Sequence, residues 1–123
     1  MDDEALLALV EVSGPKRLRT AIVGTGFVGP QHADAVRRGG YAEVEVLVDR
    51  DPERGPMTAQ SLGVARAVTD IGAVLGDPSI DVVHICTPNW THVDLARAVM
   101  EAGKHVVVEK PIAIDRAGAA TLL

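Results

Sequence analysis

This chain has almost no aromatic side chains. Phe27, Tyr41 and Trp90 are the only three among its 123 residues, so we expect a core built from aliphatic side chains and alanine. The length suffices for one domain with a single core, and it is short for an enzyme with separate cofactor and substrate domains.

Disulfides and membrane spans are missing too. The only cysteine, Cys86, excludes an internal disulfide, and its position at the end of an apolar run favours a small buried side chain over a nucleophile. No apolar run approaches the ~18 residues that a membrane span needs. The first segment, Met1-Asp2-Asp3-Glu4, is acidic where a signal peptide is basic. These observations predict a cytoplasmic protein with no membrane partner.

An excess of positive charge is also lacking. Twelve Lys and Arg residues against 17 Asp and Glu residues give a net charge of -5, and the basic residues are scattered along the sequence. A nucleic-acid surface needs clustered basic side chains, so we expect none here. The predicted partner is a small molecule.

The sequence predicts a leader, residues 1–17, with one short amphipathic helix, followed by an α/β domain at 18–123. Strands and helices alternate there, which is typical of a doubly wound, mostly parallel sheet. In the second helix, which opens at Asp51-Pro52, we expect one turn, a break at Gly55-Pro56 and a restart that runs to Leu62. The predicted strands are 19–23, 43–48, 65–68, 82–86 and 105–109, and the other predicted helices are 28–38, 70–75, 91–102 and one from about residue 115.

A glycine-rich loop follows the first predicted strand, with the sequence Gly24-Thr25-Gly26-Phe27-Val28-Gly29. The first glycine allows a tight turn, the second lets the backbone approach a pyrophosphate, and the third permits close packing of helix on strand. Glycine turns occur in many strand-to-helix junctions, but the buried strand before this one favours a dinucleotide loop. The candidate cofactor-binding residues here are Gly24, Gly26, Phe27, Val28 and Gly29.

Asp49 ends the second predicted strand, about 20 residues after the glycine loop. A carboxylate in this place accepts hydrogen bonds from the adenosine ribose and repels the 2'-phosphate of NADP. The alternative is a turn aspartate at the end of a strand. Arg50 beside it could lie on the adenine or reach a 2'-phosphate. We therefore predict NAD as the cofactor, with NADP less favoured.

Polar residues also follow the fourth predicted strand, outside the carboxyl ends of the strands, where open α/β sheets bind ligands. Asn89 offers donors and an acceptor to a ribose or to a nicotinamide amide, or it is a helix N-cap. His92 faces the cofactor, caps the next helix or faces solvent. Trp90 covers the nicotinamide end or packs against another domain.

The segment Glu109-Lys110-Pro111 ends the fifth predicted strand on the same edge. A lysine is usually a solvated surface charge, but one beside a nicotinamide could hydrogen-bond a substrate hydroxyl and exchange its proton. Lys110 is therefore the candidate catalytic residue, and Glu109 and Lys110 are candidates for cofactor contact.

The histidines show no spacing that predicts a metal site. His32, in the first helix, has no partner visible in the sequence and is interpreted as a structural residue. His84 and His105 fall within strands without metal-ligand spacing, so we expect no metal site.

Three segments together resemble the glucose-fructose oxidoreductase, inositol dehydrogenase and rhizopine-catabolism (Gfo/Idh/MocA) family, over about residues 18–123. The segments are 21–29 with His32, 86–92, and 103–113. The resemblance implies a Rossmann domain in which Lys110 is the catalytic lysine, the 24–29 loop binds pyrophosphate and Asp49 binds ribose. It also implies that the nicotinamide half of the cleft is lined by Thr87, Pro88 and Asn89.

Members of that family oxidise a secondary alcohol of a sugar, inositol or related polyol, or run the reverse reduction. A second α/β domain forms their substrate site and often their oligomer interface. The resemblance thus implies a Rossmann domain truncated at its C-terminal end, with the second domain absent. The leading expectation is the NAD-binding domain of such a dehydrogenase, inactive alone, with a C-terminal domain or a second copy as protein partner. A non-catalytic dinucleotide-binding module and one half of a split dehydrogenase are the alternatives.

Overall fold

A computed structural model of the protein describes residues 17–123, so the predicted leader helix lies outside the described residues. The strands are β1 (Leu18–Val23), β2 (Ala42–Val48), β3 (Arg66–Val68), β4 (Val82–Ile85) and β5 (His105–Val108). The helices are α1 (Val28–Gly39), α2 (Arg54–Leu62), α3 (Gly72–Leu75), α4 (His92–Glu101) and α5 (Arg116–Ala120), and a 3-10 turn at Asn89–Thr91 precedes α4.

The strands form one sheet in the order β3-β2-β1-β4-β5, and every neighbouring pair is parallel. This confirms the predicted doubly wound architecture. The chain moves outward from β1 to β2 and β3 and then returns to β4 on the other side of β1. Strand order therefore reverses beside β1, which is where open α/β sheets form a ligand crevice.

Aliphatic side chains fill both faces of the sheet, as the scarcity of aromatics predicts. On one face, Ala33 of α1 and Ala59 of α2 pack against Ile22 and Leu47. On the other face, Val74 of α3 and Val99 of α4 belong to a cluster with the strand residues Ala21, Val23, Val46, Val48, Val83 and Ile85. Because helices cover both faces, burial along β1 and β4 is nearly continuous rather than alternating.

The predicted break in the second helix is wrong. Residues Arg54–Leu62 form one continuous helix that contains Pro56 in its first turn. The first amides of a helix have no acceptor within the helix, so a proline there removes no hydrogen bond. The carboxylate of Asp51 accepts hydrogen bonds from the backbone amides of Glu53 and Arg54, which starts the helix.

Other boundaries move by one or two residues. The fourth and fifth strands end at Ile85 and Val108, one residue before the predicted ends. The fourth helix starts at His92 after the 3-10 turn, rather than at Thr91. The N-cap of the last helix is Asp115, whose carboxylate accepts a hydrogen bond from the amide of Gly118 at 2.7 Å. Within residues 17–123, no helix has the length and apolar character needed to cross a membrane.

Candidate functional site

The candidate site residues lie along one edge of the sheet, at the carboxyl ends of four adjacent strands. Asp49 follows β2, the glycine loop follows β1, the segment Thr87-Pro88-Asn89 follows β4, and Lys110 lies just beyond β5. Because all these strands are parallel and adjacent, their ends place these groups side by side in that order. Four segments that are distant in sequence thus form one continuous rim.

The glycine loop has two closed sides and one open side. A Cβ on Gly24, whose φ is +94°, would lie 2.7 Å from the carbonyl oxygen of Cys86, and a Cβ on Gly29 would lie 2.1 Å from the carbonyl oxygen of Gly24. Nothing lies within 4 Å of a Cβ built on Gly26. The fold itself therefore requires the first and third glycines, whereas the middle one borders free space.

The start of α1 adds hydrogen-bond donors to this free space. Phe27 is the N-cap residue, and its side chain cannot accept a hydrogen bond from the first amides of the helix. Its ring is 86% exposed. Amides without a side-chain acceptor at a helix N-terminus bind phosphate groups well. The open side at Gly26 and the start of α1 together fit a pyrophosphate.

Asp49 is only 3% exposed, although it stands at the rim. Its Oδ2 accepts a hydrogen bond from the amide of Thr25 at 3.2 Å and another from the Thr25 hydroxyl. Burial raises the pKa of Asp49, but hydrogen bonds from Arg54, Thr25 and the Asp51 amide outweigh it and hold the pKa well below the ordinary value. Asp49 is therefore a carboxylate that fixes the glycine loop from beneath.

Arg54 is a site residue that the sequence analysis missed. Its Nε and Nη2 donate to the two carboxylate oxygens of Asp49 at 2.9 and 3.1 Å, while its own side chain is 57% exposed. Arg50, the predicted basic neighbour, is exposed. The sequence did carry a signal for this contact: Arg54 lies in the first turn of the helix that follows Asp49, close enough to reach the end of β2.

The loop after β4 is held by a buried histidine. His92 is fully buried, and its Nδ1 and Nε2 lie 2.6 and 2.9 Å from the carbonyl oxygens of Pro111 and Thr87. The predicted solvent-facing alternative is therefore wrong. His92 ties the segment before Asn89 to the segment after Lys110.

Asn89 and Trp90 stand at the open surface of this loop. Asn89 begins the 3-10 turn and is exposed, and the N-cap of α4 is Thr91 rather than Asn89. The predicted capping role of Asn89 for that helix is thus wrong. The Trp90 side chain is 73% exposed. Both side chains stand free at the rim.

Three side chains form a hydrogen-bonded row beneath the rim. The Nε2 atom of His32 lies 2.7 Å from Oε2 of Glu109, and its Nδ1 lies 2.9 Å from Nδ1 of His84. The hydrogen bond from His32 lowers the pKa of Glu109, against an opposing effect of burial. Burial, with the charge of His32, lowers the pKa of His84 to about 4. Glu109, predicted to contact cofactor, thus has its carboxylate on His32.

Cys86 lies close to this row. Burial, reinforced by the negative charge of Glu109, raises the pKa of its thiol to about 12. A thiol in that state is not a nucleophile near neutral pH. This agrees with the prediction that Cys86 is not a nucleophile, although the side chain is half-buried rather than buried. Among residues 17–123, no group of three or more His, Cys, Asp or Glu side chains is arranged to hold a metal ion.

Comparison with known proteins decides the family. The profile of the Gfo/Idh/MocA oxidoreductase family, described as the NAD-binding Rossmann fold, matches residues 18–123. The chain belongs to this family. It carries the family's NAD-binding Rossmann domain, as the resemblance implied, and the prediction of NAD as cofactor is confirmed.

Individual relatives in the family act on different compounds. The chain is 33% identical to 4-carboxy-2-hydroxymuconate-6-semialdehyde dehydrogenase of Sphingobium sp., over 86% of this chain and 34% of that protein. It is 31% identical to myo-inositol 2-dehydrogenase of Thermotoga maritima, over 81% of this chain and 30% of that protein. The solved levoglucosan dehydrogenase in complex with NADH is 30% identical, with a TM-score of 0.83 over 87% of this chain and 31% of that one. The chain thus spans about a third of the length of these relatives.

Proposed function

We propose that this chain is the cofactor-binding domain of an oxidoreductase that moves a hydride between nicotinamide and a secondary alcohol carbon. One observation carries the proposal: the order of groups along the rim. Asp49, the glycine loop, Asn89 and Lys110 follow one another across four adjacent strand ends. A dinucleotide laid along this rim has its adenosine at Asp49, its pyrophosphate at the glycines and its nicotinamide near Asn89.

The residues present fit NAD. The open side of Gly26 and the first amides of α1 would hold the pyrophosphate, and the buried Asp49 carboxylate would accept hydrogen bonds from the ribose hydroxyls. The ribose hydroxyls would reach Asp49 only if the exposed side chain of Arg54, which occupies both of its oxygens, moved away. When bound, the nicotinamide supplies the hydride acceptor or donor. The solved levoglucosan dehydrogenase, which this domain matches closely, holds NADH.

Lys110 moves the proton that accompanies the hydride. Its side chain is exposed at the nicotinamide end of the rim, so its amine can accept the hydroxyl proton of an alcohol that is being oxidised, or donate a proton to a carbonyl oxygen that is being reduced. Its neighbours are fixed: Glu109 binds His32, and the carbonyl of Pro111 lies on His92. An amine on a held segment of backbone keeps its reach to a substrate oxygen.

The proposed substrate is a sugar, an inositol or a related polyol. The names of two relatives, myo-inositol 2-dehydrogenase and levoglucosan dehydrogenase, support this class. In those relatives the matched part is about a third of the length. We propose that groups outside this chain, from a C-terminal domain or from another subunit, complete the substrate pocket, and that the chain by itself binds NAD without turnover.

The test compares two glycines that have the same free space for a methyl group. Neither Gly26 nor Gly39 has an atom within 4 Å of a built Cβ, but Gly26 lies in the loop and Gly39 ends α1. We expect calorimetry to give a dissociation constant for NAD between roughly micromolar and millimolar in the unmutated chain. Gly26→Ala should weaken binding at least about tenfold, equivalent to ~1.4 kcal/mol, and Gly39→Ala should not.

A folded unmutated chain that binds no NAD would overturn the proposal. A second arm adds NAD and a panel of sugars and inositols to the chain and to Lys110→Met, and follows the absorbance of reduced cofactor. We expect no turnover from either. Lysine-dependent turnover by the chain alone would contradict the part of the proposal that places the rest of the substrate pocket outside it.

A further inference from the structure

We propose that His32 is a positioning residue for Lys110, acting through Glu109. The inference rests on the role proposed above for Lys110. It adds a residue of the first helix, α1, to the groups that position Lys110 after β5. His32 touches neither end of the dinucleotide path directly. It binds the side chain of the residue that immediately precedes Lys110.

Glu109 is held in two directions. Its backbone amide donates to the carbonyl of Ile85 at 2.9 Å, which continues the pairing of β5 with β4. Its carboxylate reaches across the sheet face to His32 on α1, at 2.7 Å. The two side chains are 18% and 28% exposed, so solvent screens their interaction less than that of a surface pair. The main chain is held before Lys110 by the Ile85 carbonyl and after it by His92 on Pro111, and the contact with His32 adds the attachment of the Glu109 side chain.

His84 fixes the orientation of the His32 ring. The two rings are perpendicular, at 89°, and their Nδ1 atoms lie 2.9 Å apart. With its lowered pKa, His84 is uncharged near neutral pH, so one Nδ1 carries the proton and the other accepts it. The bond occupies one nitrogen of His32 and directs the other at Glu109. This is the arrangement by which a third group orients a histidine in many sites.

The row also joins the two halves of the rim. α1 starts at Val28, within the glycine-rich segment, and His32 lies in its second turn. The same helix that receives the phosphate therefore holds the strand end that carries Lys110. A merely structural ion pair would stabilise the fold as a whole without a specific effect on the backbone at residue 110.

The experiment measures backbone order at Lys110 by 15N relaxation in the 123-residue chain. We expect an order parameter of about 0.85 at the Lys110 amide in the unmutated chain, the value of rigid backbone, and a fall toward about 0.6 in His32→Leu. His32→Gln should restore the order, because its amide nitrogen can donate to Glu109 at the position of Nε2. His105→Leu is the matched control, since that histidine lies exposed at the opposite end of β5.

Unfolding midpoints and NAD titrations accompany each variant. Order at Lys110 that is unchanged in His32→Leu would overturn the inference, even with a lower unfolding midpoint. Should His32→Leu not fold, Glu109→Ala removes the other partner while leaving the helix intact, and it must lower the order at Lys110 in the same way. A rigid Lys110 in that variant also overturns the inference. Failure of the unmutated chain to bind NAD contradicts the proposed function instead, and the relaxation data distinguish the two outcomes.

Discussion

Arg54 donates two hydrogen bonds to the Asp49 carboxylate, from Nε to Oδ2 at 2.9 Å and from Nη2 to Oδ1 at 3.1 Å. The end of β2 therefore carries a paired charge rather than a bare negative one. The carboxylate favours the two ribose hydroxyls of NAD, whereas the exposed guanidinium offers a bidentate partner for a 2'-phosphate. We expect the balance between NAD and NADP to depend on which member of the pair faces the ribose.

Asp49→Ser should narrow or reverse the preference for NAD over NADP. The substitution removes the charge that repels a 2'-phosphate and leaves Arg54 without its partner. Calorimetric titration of both cofactors measures the ratio of their dissociation constants. Asp51→Ser is the control, since the Asp51 side chain caps the start of α2 and its contact with Asp49 is made by the backbone amide, which the substitution keeps. NADP that binds the unmutated chain as tightly as NAD would contradict this role of Asp49.

Arg54→Ala should shift the ratio in the other direction. Without the guanidinium, Asp49 is an unpaired carboxylate at the ribose, so NADP binding should weaken several-fold more than NAD binding does. Arg38→Ala serves as the control because Arg38 forms only an exposed pair with Asp34 on α1. A loss of NAD binding that equals or exceeds the loss of NADP binding would count against a selective role for Arg54.

Gly29→Ala should destabilise the fold by about 1–3 kcal/mol, the usual cost of adding a methyl group where there is no room. Its Cβ would lie 2.1 Å from the carbonyl oxygen of Gly24, and backbone cannot move aside as a flexible side chain does. Urea unfolding measures the change. Gly39→Ala, with open space around it, should leave stability unchanged or raise it slightly. Equal stability of the two variants would show that the contact at Gly29 relaxes.

Acid should destabilise the protein through His84. Its pKa is lowered from 6.5 to about 4, so between these values the unfolded chain binds a proton that the folded chain does not. The unfolding free energy should therefore fall as the pH drops from 6.5 toward 4, by at most about 1.4 kcal/mol per pH unit for this one proton. In His84→Gln, the urea midpoint should depend less steeply on pH across that range. An unchanged slope would assign the effect to other groups.

Local sequence signals were sufficient for the glycine loop, the strand and helix order and the family. The first two depend on residues that are close together in the chain, and the family on three such segments taken together. The helix break at Pro56 was wrong because proline disrupts a helix interior and not a first turn. A difference of two residues in where the helix begins, Pro52 as predicted or Arg54 as observed, decides between the two.

The contacts of His32, His84 and Glu109 were beyond sequence reasoning. Their partners are 52 and 77 positions away in the chain, and nothing in the local pattern of any one residue indicates the others. His92 was left between three roles for the same reason. Its environment consists of carbonyl oxygens from two loops that meet only after β4 and β5 have paired.

The close approach of Gly24 to the backbone of Cys86 means that a segment far along the chain completes one wall of the glycine loop. A ribosome delivers β1, α1 and β2 first, so the pairing of Asp49 with Thr25 is available early. The other wall of the phosphate loop emerges only with β4, seconds later at roughly 5–20 residues per second. In that interval one side of β1 has no strand to pair with, and an unpaired strand edge is a template for association with another chain. The crevice between β1 and β4 is therefore complete only when these two strands, about 60 positions apart in the chain, have paired.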